Sequence, residues 1–146
     1  MEKGFKMADF HFYSPVQVRV ADLDTQRHVN NSKYSTYIEV GRFEYLQHLG
    51  LFDGIHFDDL GLIVADVHIA YLAQIELNQK LRVGVRTARI GNKSLTLEYE
   101  IQDPDSGRVF ARAESVMVSY DYHAHQTIPV PDDWRVKITA FEGMSF

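Results

Sequence analysis

A chain of 146 residues, 45% hydrophobic and 24% charged, has the size and make-up of one folded domain and too much apolar content to stay disordered. Fifteen Lys and Arg against twenty Asp and Glu leave a formal charge of −5, which excludes a broad basic footprint for nucleic acid but leaves room for a local anion-binding patch. The absence of cysteine removes disulfide frameworks, thiolate metal sites and thiol nucleophiles.

Residues 1–10 place Glu2, Lys3, Lys6 and Asp9 where a signal peptide would need an apolar run. The longest apolar stretch, 60–65, is far too short to span a bilayer. No repeat or linker divides the chain, so the expectation is a single domain over 1–146, cytoplasmic and without a membrane partner. From 11 to 23, Val16, Val18 and Val20 alternate with Gln17 and Arg19, the period of a half-buried strand. After Val29 the period changes. Tyr34, Tyr37, Ile38, Gly41, Tyr45 and Leu49 recur at steps of three and four, predicting an amphipathic helix over 32–49. Asn30, Asn31 and Ser32 are candidates to cap it, and Gly50 is placed to close it.

The stretch 51–61 is polar and has room for one helical turn. Strand patterns follow at 63–71, 80–87, 94–101 and 109–122; in the last, Phe110, Arg112, Glu114, Val116, Val118 and Tyr120 share one side. Gly91-Asn92 and the 103–107 cluster read as hairpin turns. A short terminal helix is expected over 132–141, with Asp132 and Asp133 suited to its N-terminal dipole. One strand, one long helix and four hairpin-linked strands describe a two-layer α+β domain with an antiparallel sheet of about five strands. A single helix leaves sheet edges to hide, so a homodimer or homotetramer is expected.

The chemistry concentrates in residues 20–42. Asp22 and Asp24, two apart in an extended chain, would share a side near the helix start. Free N–H groups at that start, with the macrodipole behind them, can polarise a carbonyl and hold an oxyanion. A nearby carboxylate can attack that carbonyl or activate water. The same residues also suit a plain turn and cap. His28 sits in the same polar loop as a candidate base, orienting group or ligand. His123 and His125 would share one face of a strand without a third metal ligand nearby, so no metal is expected. Arg82, Arg86, Arg89 and Lys93 form a basic run suited to the phosphates of a nucleotide-bearing ligand, or simply a solvated strand face. Tyr34, Tyr37, Phe43 and Tyr45 are core candidates that could also line an acyl pocket.

The run Asp22-Leu23-Asp24, then Gln26-Arg27-His28-Val29-Asn30-Asn31 and Lys33-Tyr34, with Glu39 and Arg42 along the helix, resembles the signature of hotdog-fold acyl-CoA thioesterases. It is similar to the 4-hydroxybenzoyl-CoA thioesterase superfamily, closest to its long-chain acyl-CoA and acyl-carrier-protein thioesterase branches. The resemblance implies a long central helix wrapped by an antiparallel sheet, paired into a dimer with active sites at the interface. It implies Asp24 as nucleophile or general base, the Asn31 N–H as oxyanion donor, His28 as an assisting group and Glu39 as an accessory acid. The substrate would be an acyl-CoA contacted by Tyr34, Arg82, Arg86, Arg89, Lys93 and Ser94, with no cofactor beyond the coenzyme A it carries. A non-catalytic acyl-CoA sensor, an acyl-carrier-protein thioesterase and a hotdog dehydratase are the alternatives.

Overall fold

A computed structural model of the chain describes residues 10–146. Strand β1 (Tyr13–Val16) leads through a 3-10 turn (Val20–Asp22) to helix α1 (Asn31–His48). A second 3-10 turn (Phe57–Asp59) precedes β2 (Leu62–Tyr71), β3 (Leu81–Ile90), β4 (Ser94–Gln102) and β5 (Val109–Asp121). The short β6 (Gln126–Thr127) and helix α2 (Asp132–Glu142) complete the chain. The sheet is antiparallel in the order β1-β3-β4-β5-β2, with β6 added to β5. This is the hotdog α+β fold that the motif implied.

Helix α1 ends where its sequence says it must. The Asn30 side chain accepts from the Ser32 N–H at 3.0 Å, and Gly50 takes φ +75°. Its N–H reaches Gln47 O at 3.0 Å while Leu51 N–H reaches Leu46 O at 2.9 Å, the paired bonds of a Schellman stop. Midway, α1 crosses β3 at Gly41, where a Cβ would lie 2.8 Å from Val83 Cγ1. Tyr37, Ile38, Tyr45 and Leu46 then bury against Leu81, Val83, Val85, Leu95, Leu97, Tyr99 and Ile101. On β5 the core face carries Ala111, Ala113, Ser115 and Met117, so Arg112, Glu114 and Val116 lie on the opposite, half-buried side. Small residues on β5 leave the volume that the Tyr99 ring fills.

The expected strand over 11–23 is cut short. Only Tyr13–Val16 pair with β3, and Val20 is 73% exposed instead of sharing a buried side with Val18. The cause is Asp22, whose Oδ2 accepts from the Arg19 N–H at 3.0 Å and pulls residues 20–22 into a 3-10 turn. Among the described residues, strand β2 has no neighbour on its outer side, and its Val64 and Val67 are 46% and 42% exposed. Among the described residues, no helix is long and apolar enough to cross a membrane.

Candidate active site

The turn at Asp22 separates the two carboxylates that a continuous strand would have aligned. Asp22 is inside, with only 1% of its side chain exposed. Its Oδ2 accepts from the Tyr37 hydroxyl at 2.7 Å and its Oδ1 from the Arg19 guanidinium at 2.9 Å. Burial works to raise its pKa, but the bonds from Arg19 and Tyr37 prevail and hold the carboxyl below the ordinary range. Tyr37 is pushed the other way, first by burial and then by the carboxylate it donates to. The Asp22 carbonyl accepts from the Asn30 N–H at 2.8 Å, so the residue ties the loop to the helix start.

Asp24 is outside. It opens a tight loop bracketed by a Leu23–Val29 bridge. Asp24 N–H donates to His28 O at 2.8 Å, Arg27 N–H to Asp24 O at 3.1 Å, and Arg27 takes φ 65°. A turn followed by one left-handed residue is the standard three-residue connection. Asp24 Oδ1 accepts from the N–H groups of Gln26 and His28 at 2.8 and 3.2 Å. Its Oδ2 has no partner among the described residues, which leaves an oriented, exposed carboxylate oxygen. The loop is held on its other side by Val29 N–H donating to Ile75 O at 2.8 Å and by a His28–Glu76 bridge.

At the helix start, Ser32 N–H is taken by the Asn30 side chain and Lys33 N–H by Asn30 O. The Asn31 N–H, on the first residue in helical conformation, has no carbonyl one turn back and points out of the helix end. His28 is half-buried, and its Nδ1 is buried with no partner among the described residues. A loop carboxylate, an unengaged imidazole nitrogen and an open helix N-terminus thus lie on one stretch of eight residues fixed from both sides.

The other expected site residues lie elsewhere. Tyr34 is core: its hydroxyl donates to Ala73 O at 2.9 Å, its ring meets Tyr71 edge-on, and burial raises its pKa. Glu39 is exposed two helical turns beyond Asn31, about 12 Å along the axis, so within one protomer it does not join Asp24. Arg86 is buried and ion-paired to Glu98, its opposite in the β3–β4 register, and so is no member of a solvated basic face. Arg82 stacks 3.8 Å over the Tyr13 ring and donates to Gln102 at 2.9 Å. Arg89 and Lys93 stay exposed beside half-buried Ser94, at the β3–β4 turn. That turn lies about 30 Å along the sheet from the end that carries the helix start. His123 and His125 sit in the turn between β5 and β6, off any strand, and His123 pairs with Asp59 at 3.2 Å. Among the described residues no group of three or more His, Asp or Glu is arranged for a metal.

Arg19 and Ile75 support the site without having been singled out in the sequence, and Tyr37, read there as a core or acyl-pocket residue, fastens Asp22. The i,i+3 spacing of Arg19 and Asp22 carries a capping signal. Nothing local points to Ile75, whose contact is long-range.

The hotdog fold and the relatives it shares that fold with mark the protein as a thioester hydrolase. Residues 18–138 match the thioesterase-like superfamily, and the chain belongs to that family. It is 24% identical over 123 residues to the long-chain acyl-CoA thioesterase FadM of Escherichia coli, covering 84% of this chain and 93% of that protein. It is also similar to a Thermus thermophilus thioesterase solved with coenzyme A and Zn: 32% identity, TM-score 0.83, 95% of this chain and 100% of that one. A predicted thioesterase from Bacillus stearothermophilus matches at 30% identity and TM-score 0.81, over 89% and 95% of the two chains.

Proposed function

We propose that the protein is a cytoplasmic acyl-CoA thioesterase, with Asp24 supplying the reacting carboxylate. The observation that carries the reading is the pinned Asp24 with its unengaged Oδ2, one short loop away from the open Asn31 N–H. The thioester carbonyl docks on the helix N-terminus, and the Asn31 N–H donates to its oxygen as negative charge develops there. Asp24 either attacks the carbonyl carbon or takes a proton from the water that does. The C–S bond breaks, the thiol of coenzyme A leaves with a proton, and one water is consumed per acid released. No step draws on a metal or on a cofactor beyond the coenzyme A of the substrate.

The remote position of Arg89 and Lys93 supports a dimer. Pairing β2 antiparallel with its copy reverses the partner's sheet. The partner's β3–β4 turn then lies at the end that holds this chain's Asn31. Arg89 and Lys93 of each protomer, beside Ser94, then meet the phosphates of coenzyme A bound at the other protomer's helix start. The coenzyme A in the Thermus relative agrees with this choice of carrier. An acidic carrier protein suits the net charge of −5 less well.

The test is thiol release from acyl-CoAs running from acetyl through palmitoyl to an aroyl thioester, with Asp24→Asn alongside. Turnover that disappears in the variant supports the hydrolase and reads out its acyl preference. Tight acyl-CoA binding by the folded wild type without turnover favours a sensor instead.

A further inference from the structure

Arg89 reaches the surface because β3 carries one extra residue. Residues two apart on a strand share a face, so Arg89 should follow Val85 and Thr87 into the core. The register shows otherwise. Thr87 lies opposite Leu97, whereas Arg89 lies opposite Thr96 and Ile90 opposite Leu95. Ala88 is therefore the added residue of a β-bulge, and beyond it the two faces exchange. Arg89 joins Thr96 on the outer side, and Ile90 turns inward with the buried Leu95. Without the bulge the guanidinium would point into the core beside Leu95.

The bulge is held from the far end of the chain. Strand β1 serves β3 only as far as Val85, whose N–H donates to Phe12 O at 3.2 Å. The next donor on that edge, the Thr87 N–H, goes instead to Oε2 of Glu142 at 3.0 Å. The same oxygen accepts from the Tyr45 hydroxyl, which shares a 2.7 Å bond with Thr87 Oγ1. Glu142 is only 4% exposed although it ends a helix that is largely open to solvent, and the Phe141 ring beside it packs edge-on against Tyr45. A carboxylate this far from water is tolerated only where donors meet it, and here they are the residue before the bulge and the tyrosine under it.

We propose that Glu142 is a positioning residue for substrate binding: through the Thr87 N–H it pins the β3 bulge that turns Arg89 outward to the phosphates of an acyl-CoA. It touches no substrate and acts only through the strand. This rests on the reading of Arg89 as a phosphate contact and deepens it by giving the C-terminal helix a part in substrate affinity.

Steady-state kinetics of the full chain on an acyl-CoA, and on the matching acyl N-acetylcysteamine thioester that lacks phosphates, test it. Glu142→Ala leaves the Thr87 N–H buried without an acceptor and frees the bulge. It should raise KM for the acyl-CoA about threefold, the share of one phosphate contact, with kcat and the KM of the phosphate-free thioester unchanged. Glu142→Gln should restore the wild-type KM, since its amide oxygen can accept from both Thr87 and Tyr45. In an Arg89→Ala background, Glu142→Ala should add no further rise, because both act through one contact. If Glu142→Ala does not fold, Glu142→Asp, which withdraws the carboxylate by one methylene, should show the same selective rise and decides in its place. An equal rise for both thioesters, a loss confined to kcat, or full additivity with Arg89→Ala overturns the proposal. Arg89→Ala without effect on the acyl-CoA KM overturns the phosphate contact and the inference with it. An effect of Arg89→Ala with none from residue 142 overturns the inference alone.

Discussion

Tyr37→Phe removes one hydroxyl and isolates what holds the candidate catalytic loop. In the wild type that hydroxyl donates at 2.7 Å to Asp22, a carboxylate almost wholly removed from water. A hydrogen bond to a charged acceptor contributes about 1.5–3 kcal/mol, and a phenyl ring fills the same space without strain. For a domain of this size the loss corresponds to roughly 3–12 °C in Tm. The pH dependence follows from the direction of the Asp22 shift. Its carboxyl is held below the ordinary range, so its contribution is complete above the unfolded value of about 3.9. That contribution is lost as pH falls through the lower folded value. The gap between wild type and variant should be flat from pH 7 to about 5 and close only in strong acid. Circular-dichroism melts at fixed protein concentration, from pH 7 down to 2, measure it. A gap under about 0.5 kcal/mol at pH 7, or one that persists unchanged at pH 2, would show that the Tyr37–Asp22 bond is not what fastens the loop.

Three other perturbations follow from single contacts. Gly41→Ala gains about 1 kcal/mol in helix propensity but drives a methyl to 2.8 Å from the fully buried Val83, an overpacking cost of about 1–3 kcal/mol. Net destabilisation in a urea titration is expected, and a net gain would rule out the close crossing of α1 and β3. His123 is raised above its ordinary value by its hydrogen bond to Asp59, so the tie is full below about pH 6.5 and fades as pH rises through the raised value. In an NMR titration Asp59→Asn should bring its midpoint back down. Replacing both Arg89 and Lys93 by Ala should raise KM for an acyl-CoA roughly tenfold, from about 0.7 kcal/mol per lost phosphate contact. An acyl N-acetylcysteamine thioester, which has no phosphate, should show no such change; an equal rise for both would move the phosphate site elsewhere.

The parts of the fold that could be read from sequence are those with local causes. Asn30 caps α1 and Gly50 stops it through bonds within a few residues, so the helix is legible to within one position. Alternation located β2 to β5 but left their register open, since period two tells only which residues share a face. Register is what sets Arg86 opposite Glu98 and Glu100 opposite Arg112. Two basic residues that read as ligand contacts or solvated face are therefore differently placed, one in a buried pair and one stacked on Tyr13. The length of β1 was misleading because alternation continues past Val16 while the Asp22 carboxylate bends the backbone. Asp24, His28 and Asn31 were singled out by motif alone. The contact with Ile75 that holds them in place joins segments more than forty residues apart, and no window of sequence contains it.

Asp22 and Asp24 look alike in the sequence and divide the labour in the structure, and two isosteric substitutions separate them. Asp24→Asn keeps the Oδ1 acceptor for Gln26 and His28, and gives up no ion pair, so stability should hold within about 0.5 kcal/mol. What it removes is a charged oxygen able to attack or take a proton, worth about 10²–10⁴ in kcat for a general base alone. Asp22→Asn does the reverse. Both oxygens of Asp22 receive donors, from Arg19 on Oδ1 and from Arg19 N–H and Tyr37 on Oδ2. An amide nitrogen on either side must face a donor, leaving a buried group unsatisfied at a cost of about 1–3 kcal/mol. Activity should then fall only as far as the Asn30 N–H, and with it the helix start, shifts on the Asp22 carbonyl. Stopped-flow turnover and urea melts on the two variants make the comparison. If Asp22→Asn abolishes turnover at unchanged stability, the buried carboxylate is the reacting group and Asp24 merely shapes the turn. The free, exposed Oδ2 of Asp24 and the buried carboxylate of Asp22 predict the opposite, because Asp22 already accepts three hydrogen bonds and burial keeps its one remaining lone-pair site away from carbonyl and water.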